Sequence, residues 1–398
     1  MAISLGVMFN NVNFALASNS NALARLQEQA ATGQRIVRVS DDPFASYHIL
    51  NLDSQNRSFT NYSSNIANVV DMLDVSSSTI LNIQQNINNA RTTITQIGTG
   101  TFSDEGGYRS IASQSIDDIL EQIVSLANSK YLNQYMFGGT NTATAPYTVE
   151  RADNGEISSV SYQGAESSRV VEVAPNVRAR TMAVGSDIFQ SSNYGQPIFY
   201  GTTGVKTGTG SSNVTGDSWL KVDNDGTNYK LSIDDGATWT VVPLGGEENT
   251  MVTDSRTGKI LYVDTRTITS TGTEPVRMPG TYDVFNTLIT IRDLLRNTND
   301  LPAQKLEEMR TLMVSSLEEV NLELSRSLTT VGGQINTLSD LKLTLDDLGS
   351  KAQEQSDIIS QADIAQISVE LSRHELLYQM SMQVASKLLS LNFLDFIR

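Results

Sequence analysis

The sequence contains no cysteine and only two histidines, His48 and His374. The absence of cysteine excludes disulfides, thiol nucleophiles and thiolate metal sites. Two histidines leave little material for histidine-based catalysis or for a zinc site. Because no nucleophile and orienting acid stand out beside either histidine, the sequence predicts a protein that is not an enzyme and that needs no cofactor or metal.

Basic residues are also scarce, since 28 lysines and arginines stand against 44 aspartates and glutamates, for a formal net charge of -16. Such a chain gains nothing from counterion release on a polyanion, so we expect no nucleic-acid partner and no membrane partner. No apolar run reaches the roughly 18 residues that a membrane span needs. The first residues lack a basic segment followed by an apolar run, so we expect no cleavable secretion signal.

Proline is rare and unevenly placed. Six of the 8 prolines and 18 of the 27 glycines lie between Gly138 and Gly280, and residues 44–145 and 303–398 contain no proline. Proline costs about 3 kcal/mol inside a helix, so its absence permits long helices in both flanks. The sequence therefore predicts helical flanks around a middle block of strands and turns.

Apolar residues in both flanks recur every three or four positions. This spacing averages 3.5 residues and is typical of a coiled-coil seam, in which the polar Ser76 is an interruption. The seam of the first flank comprises Phe59, Tyr62, Ile66, Val69, Leu73, Ile80, Ile83, Ile87, Ala90, Ile94 and Ile97. That of the second runs through Leu306, Met309, Met313, Leu317, Val320, Leu324, Leu328, Val331, Ile335, Leu338, Leu341, Leu345 and Leu348. The pattern predicts an elongated antiparallel bundle built from both flanks.

The two ends of the chain repeat this pattern on a shorter scale, with Asn19 as a polar interruption. Ordering about 26 residues costs on the order of 25–50 kcal/mol. Burying seven seam side chains at about 1.5–3 kcal/mol each returns about half of that, so such a helix is marginal alone. We therefore expect the ends to assemble with other copies. The predicted subunit-assembly seam is Leu5, Phe9, Val12, Leu16, Leu23 and Leu26, with Leu371, Leu376, Met380, Val384, Leu388 and Leu391.

A short connector separates the N-terminal helix from the bundle. Gly33 stops the first helix, and the β-branched residues from Ile36 to Val39 disfavour its continuation. In Ser40-Asp41-Asp42-Pro43, the proline suits the first helical position, and Asp41 or Asp42 can cap the free amides. We interpret the segment as a helix cap preceded by a semi-flexible connector.

The middle block alternates polar and apolar residues between turn signals. Arg169–Val173 and Lys230–Ile233 are predicted strands, and Asp223–Gly226 and Asp234–Gly236 are predicted tight turns. The acidic turn with Asp223, Asp225 and Asn228 lacks the register of a calcium loop, so a solvated turn is favoured over a calcium site.

One segment of the middle block has a recognisable pattern. Ser232-Ile-Asp-Asp-Gly-Ala-Thr-Trp239 resembles the Asp-box of sialidases and other β proteins, a hairpin motif that buries its tryptophan away from catalysis. A single copy favours a hairpin. A carbohydrate-binding or hydrolytic middle block is the alternative.

Several segments of the flanks resemble the flagellin superfamily. Ala31–Pro43 looks like its N-terminal signature, in the Ser-Asp-Asp-Pro form typical of the hook-associated protein 3 family. Leu126–Gly139 is similar to the point at which that family leaves the bundle for an outer domain. Asp283–Leu288 and Val331–Asn336 resemble its returning helices, and Ser390–Ile397 resembles its closing segment.

This resemblance, which covers roughly residues 1–147 and 281–398, implies a mainly α fold with a β-rich insertion. Both chain ends would form an elongated helical bundle or coiled coil, plus an outer β domain. The predicted domains are a terminal coiled-coil axial domain (1–45 and 351–398), a helical bundle (46–139 and 281–350) and the β-rich insertion (140–280).

The resemblance also implies a structural subunit of the extracellular bacterial flagellum, exported without a cleavable signal peptide. It would form a homo-oligomeric ring at the hook–filament junction. Its partners would be hook-associated protein 1, flagellin and an export chaperone that holds the C-terminal helix. The alternative function is a filament-forming flagellin.

Overall fold

The computed structural model describes residues 2–97, 107–191, 195–297, 301 and 303–396. Side chains are described for residues 7–97, 107–191, 195–297, 301 and 305–388. The chain divides into two compact units. We call residues 1–64 with 342–398 the terminal unit, and residues 65–341 the central unit.

This division differs from the three predicted domains. The boundary of the terminal part lies at residues 64 and 342 instead of 45 and 351, and the β-rich insertion belongs to the same unit as the bundle helices. The physical reason is a shared core, because side chains from the insertion pack among those of the central helices.

The described helices confirm the predicted helical flanks. They are α1 (Ala2–Thr32), α2 (Pro43–Ile97), α3 (Tyr108–Ala127), α4 (Gly185–Phe189), α5 (Val284–Arg296), α6 (Ala303–Ser360) and α7 (Ile364–Phe396). The pair Gly332-Gly333 lies inside α6 and does not interrupt it. Within the described residues, none of these helices is both long and apolar enough to cross a membrane.

Strands fill the chain between α3 and α5. They are β1 (Lys130–Tyr131), β2 (Gln134–Tyr135), β3 (Tyr147–Arg151), β4 (Ile157–Tyr162), β5 (Val170–Ala174), β6 (Val177–Arg180), β7 (Ile198–Phe199), β8 (Lys206–Thr207), β9 (Gly216–Asn224), β10 (Asn228–Ser232), β11 (Thr240–Pro243), β12 (Thr250–Thr253), β13 (Ile260–Asp264) and β14 (Gly272–Met278). Both predicted strands coincide with observed ones, β5 and β10, to within two residues at either end.

The strands form antiparallel sheets. A five-stranded sheet has the order β11-β10-β9-β14-β7, a three-stranded sheet has the order β12-β13-β8, and β1–β2, β3–β4 and β5–β6 are separate two-stranded pairs. The register of the longest pair, β9 with β14, runs from Gly216 opposite Met278 to Val222 opposite Gly272. The inward side chains of the five-stranded and three-stranded sheets form a core of their own, which includes Leu220, Leu231 and Leu261.

The core of the central unit is the predicted helical seam. On α2, every seam position from Ile66 to Ile97 is buried, and on α6 the same holds from Leu306 to Leu324. Three bonds between these helices fix their antiparallel register. Gln84 Nε2 donates to Ser325 Oγ at 2.7 Å, Asn321 Nδ2 donates to Asn88 Oδ1 at 3.3 Å, and Arg91 pairs with Glu318.

Within the terminal unit, α2 and α6 pair in the same antiparallel sense. Ser356 Oγ donates to Asp53 Oδ1 at 3.1 Å, and Asn56 Nδ2 donates to Gln353 Oε1 at 2.9 Å. Two turns further along, Ser63 Oγ donates to Asp346 Oδ1 at 2.6 Å. Each step up α2 is matched by an equal step down α6, as an unbroken heptad pattern requires.

Arg292 links the β-rich insertion to the central helices. This buried side chain of α5 donates to Asp117 Oδ1 of α3 at 2.8 Å and to the carbonyl of Ile157 in β4 at 2.7 Å. A buried guanidinium must be paired, so its partners on a helix and a strand are held together. Phe137, Phe189 and Phe285 then close the same core with edge-on aromatic contacts.

The Asp-box segment forms the predicted turn between β10 and β11, but its tryptophan is not buried. Trp239 is 36% exposed, so that part of the prediction is wrong. The turn is instead held by Asp234, whose carboxylate accepts hydrogen bonds from Ser232, Thr238 and Ser255. Because these bonds complete the turn, the indole lies along Gly236 at the surface.

The shared core generates the first prediction. Leu317 is fully buried in α6, and Leu317→Ala is expected to lower the free energy of unfolding of the central unit by about 2–5 kcal/mol. Urea unfolding followed by tryptophan fluorescence measures this, since Trp219 and Trp239 both lie in the central unit. The matched control is Leu322→Ala, at a position 52% exposed on the same helix, with an expected change within about 0.5 kcal/mol. Equal losses in both variants would contradict the assignment of the core.

Candidate assembly surface

One stripe of α7 in the terminal unit packs against α1. Leu26 of α1 is buried in a small cluster with Ala362 and Ile367, and the half-buried Leu371 lies against it. The stripe continues along α7 in heptad steps to Leu388, which is also half-buried. These steps make the contact a coiled-coil seam within one chain.

A polar pair occupies the middle of this seam. His374 Nδ1 lies 3.1 Å from Asn19 Oδ1, and both side chains are half-buried. The sequence analysis treated Asn19 as an interruption and assigned His374 no partner. Two polar residues at matching heptad positions of antiparallel helices were the signal that could have paired them.

A second apolar stripe of α7 faces solvent. Val369, Leu376, Met380 and Val384 are 70%, 58%, 54% and 47% exposed. Their spacing of seven, four and four residues places them on one side of the helix, away from the seam with α1. The predicted assembly residues of α7 therefore fall into two groups. Leu371 and Leu388 lie on the intramolecular side, and Leu376, Met380 and Val384 form the exposed stripe.

The predicted residues of α1 lie mainly on the side of its seam. Leu26 is buried, whereas Val12, Leu16 and Leu23 are half-buried. Phe9 is 39% exposed. The predicted positions Leu5 and Leu391 lie in helices, but their side chains are outside the described residues.

Two apolar residues of α1 that the sequence analysis did not name are more exposed. Val7 is 55% and Phe14 is 77% exposed. They are seven residues apart and thus share one face of the helix. The seven-residue spacing of Val7 and Phe14 could have indicated this face, but the sequence analysis used heptad spacing only for the buried side of α1.

The connector between α1 and α2 is held by backbone hydrogen bonds. Gly33 ends α1 with a φ of 68°, which favours glycine. Its carbonyl accepts from the amide of Ala362 at 2.9 Å, and the amide of Arg35 donates to the carbonyl of Ser360 at 2.7 Å. The connector is thereby paired with the joint between α6 and α7.

The side chains of the predicted connector have different environments. Ile36 is buried, whereas Val39 and Ser40 are exposed. Asp41 Oδ2 accepts from the amides of Val37 and Arg38 at 3.2 and 2.9 Å. These hydrogen bonds hold the connector in the observed conformation. The flexibility of Ile36–Val39 stays a prediction.

Asp42 caps α2, with Pro43 at the first helical position. Its Oδ1 accepts from the amide of Ala45 at 3.0 Å, and its Oδ2 pairs with Arg35 at 3.3 Å. The hydrogen bond from Ala45 lowers the pKa of the Asp42 carboxyl, and Arg35 acts in the same direction. The folded pKa thus lies below the unfolded one, so the cap stabilises at neutral pH and is lost as the pH falls through the lowered value.

The acidic side chains of the middle block that suggested a chemical role, Asp234 and Asp225, are also engaged in structural hydrogen bonds. Burial raises the pKa of Asp234, but hydrogen bonds from Thr238 and Ser255 outweigh this effect and lower the pKa. The carboxylate therefore has a structural role in its turn. Asp225 Oδ1 accepts from the amides of Thr227 and Asn228, and its Oδ2 pairs with Lys230. In the described part of the chain, no cluster of histidine and acidic side chains could hold a metal ion.

The cap yields a second prediction. Asp42→Ala is expected to accelerate amide hydrogen exchange at Ala45 and in the rest of the first turn of α2 several-fold at neutral pH, because the acceptor is lost. In the unmodified chain, the protection factors of the same amides, which compare their exchange rates with the intrinsic rate at each pH, are expected to fall as the pH falls through the lowered pKa of Asp42. Ser40→Ala is the control, since it removes an exposed hydroxyl next to the cap. Unchanged exchange at Ala45 in the Asp42 variant would contradict the capping role.

Comparisons with known proteins agree with this architecture. Residues 3–142 match the family model of the bacterial flagellin N-terminal helical region. A flagellar hook-associated protein 3 from Salmonella typhimurium is 28% identical over 195 residues, which are 48% of this chain and 57% of the relative. The protein of the same description from Escherichia coli is 26% identical over 152 residues, 38% of this chain and 47% of the relative. The chain thus spans about half the length of these curated relatives.

The fold has solved counterparts. A structure from Vibrio parahaemolyticus, described as a flagellar hook-associated protein, aligns with a TM-score of 0.50 at 16% identity. It covers 80% of this chain and 99% of its own. Helical flanks around a β-rich middle are therefore a known arrangement. Residues 3–142 of this chain are thus similar to the bacterial flagellin N-terminal helical region, and the chain resembles flagellar hook-associated protein 3.

Proposed function

We propose that this chain is a structural subunit of the bacterial flagellum, without enzymatic activity, that self-assembles through its terminal helices. The position we propose for it is the junction between hook and filament. The similarity to flagellar hook-associated protein 3 supports this position, and the flagellin-type N-terminal region supports the mode of assembly.

The exposed stripe of α7 is the observation that carries the proposal. Leu376, Met380 and Val384 form a row of apolar side chains that the described residues leave 58%, 54% and 47% exposed. Fully burying an exposed apolar side chain is worth about 1.5–3 kcal/mol, and these side chains, which are about half exposed, each offer about half of that. In assembled material, that gain becomes available when a neighbouring copy lies along α7. Val7 and Phe14 on α1 offer the same gain on the partner helix.

The partners follow from this role. A ring of identical copies would contact hook-associated protein 1 on one side and flagellin on the other, and an export chaperone would cover α7 before assembly. The location would be the extracellular flagellum, reached through the flagellar export apparatus. A chaperone on α7 has a physical rationale, because its exposed apolar stripe is an aggregation hazard in a dilute monomer.

A filament-forming flagellin is the second candidate, and the match to the flagellin N-terminal region favours it. Both candidates would have the same terminal helices, and they differ in whether the subunit lies at the hook–filament junction or in the filament. The Asp41-Asp42-Pro43 cap and the segment Tyr135-Met-Phe-Gly-Gly139 are forms that flagellins usually lack, which favours the junction.

Deletion of the gene distinguishes the two roles. For a junction subunit, electron microscopy is expected to show hooks without filaments, with flagellin shed into the medium. If the chain is instead the filament subunit, its deletion is expected to leave no flagellin encoded by another gene in the medium. Normal filaments in the deletion strain would overturn both proposals.

A substitution in the exposed stripe tests the mode of assembly. Met380→Asp is expected to abolish incorporation and leave the monomer folded, because the charge is solvated in the monomer and buried in the assembly. Complementation of the deletion strain measures incorporation, and circular dichroism of the purified monomer measures folding. Ser386→Asp is the matched control, at an exposed polar position on another face of α7. Normal incorporation of the Met380 variant would refute the stripe as a contact.

A further inference from the structure

The β1–β2 hairpin of the central unit has a leucine at its tip where the backbone favours another residue. Tyr131 pairs with Gln134, so Leu132 and Asn133 form a two-residue turn. Their φ angles are 47° and 64°. Such a turn favours asparagine, aspartate or glycine at both positions, since a bulky side chain is strained at positive φ. Asn133 follows this preference and Leu132 does not.

Burial does not explain the leucine. Its side chain is 74% exposed, so it contributes little to the core of its own chain. A strained backbone that carries an exposed apolar side chain is a combination found at functional positions. The hairpin therefore presents Leu132 outward at a cost to the fold.

Cations lie on this hairpin and on the neighbouring β5–β6 hairpin. Arg169 Nη1 donates to Gln134 Oε1 at 3.4 Å and so joins the β5–β6 hairpin to the β1–β2 hairpin. Residues 130–135 and 169–180 together contain Lys130, Arg169, Arg178 and Arg180 against the single carboxylate of Glu172. All four cations are exposed. We call Leu132, Lys130, Arg169, Arg178 and Arg180 the basic hairpin patch.

The patch contrasts with the chain as a whole, which has a formal net charge of -16. Helix α2 exposes Asp71 and Asp74, and among the described residues no ion pair is found for either. A basic surface with an apolar tip is complementary to such an acidic helix face, but not to the same patch on another molecule. A contact between two different surfaces of identical chains repeats head to tail and generates rings or helical arrays.

We propose that the basic hairpin patch binds the acidic helical surface of the central unit in a second copy of this chain. The inference rests on the proposed function, because it presupposes that copies assemble. It adds an electrostatic contact of the central unit to the apolar contact of the terminal helices. Leu132 inserts at its centre, and the cations set orientation and register.

Photo-crosslinking in assembled flagella tests the contact. Benzoylphenylalanine replaces Asn133, next to the leucine, in the full-length chain expressed in the deletion strain. We expect an adduct of two copies whose crosslinked peptide lies in α2 or α6 of the neighbour. A probe at Met380 reports the terminal contact, and a probe at the exposed Arg256 is the negative control.

The two proposals fail in different ways. If the probe at position 380 links copies and the probe at position 133 does not, the patch proposal is overturned and the proposed function stands. If neither probe links copies, the proposed function falls as well. An adduct from position 133 with a different protein overturns the patch proposal.

Substitutions in the patch separate a contact from a purely structural role. Leu132→Asn is expected to keep or raise the thermal midpoint, since asparagine tolerates positive φ, and to lower the adduct yield. Arg180→Glu is expected to lower the yield about tenfold, because it places like charges opposite each other. Arg256→Glu changes the net charge equally and should leave the yield unchanged. Unchanged yields in both patch variants would overturn the proposal.

Discussion

The heptad spacing of apolar side chains is the constraint on which the rest of the structure depends. It allows α2 and α6, separated by the whole middle block, to pair antiparallel over their lengths. The cross-helix bonds at Gln84 and Arg91 in the central unit, and at Asn56 and Ser63 in the terminal unit, fix the register of this pairing. Side chains of the β-rich insertion, among them Phe137 and Tyr147, join the same core, so the insertion and the seam belong to one unit.

Helix α7 carries more apolar surface than its own chain covers. One stripe packs on α1 through Ile367 and Leu371, while Leu376 and Met380 remain in water. A helix that is apolar on two sides needs neighbours on two sides. The described part of the chain supplies one of them, and the proposed assembly would supply the other.

The sequence predicts those features that depend on local pattern. The spacing of apolar residues, the placement of proline and the Asp42 cap depend on residues that are close in the sequence, and the structure agrees with each. Features that depend on tertiary partners were not predictable. Periodicity shows that Leu371 and Leu376 are apolar helical positions, but it does not say which faces α1. The exposure of Trp239 depends on how the Asp234 carboxylate is used, which involves Ser255 from another turn.

The pairing of Asn19 with His374 can be explained by the heptad register of α1 and α7. A slip of one heptad between antiparallel α1 and α7 would place His374 against Leu26 or Val12, and would leave Asn19 without its partner. An apolar seam alone tolerates such slips, because leucine and valine pack acceptably against several neighbours. A polar pair is satisfied in one register only. The register of the terminal helices must be defined in each chain if their outer stripes are to present the same surface to every neighbour, and this pair defines it.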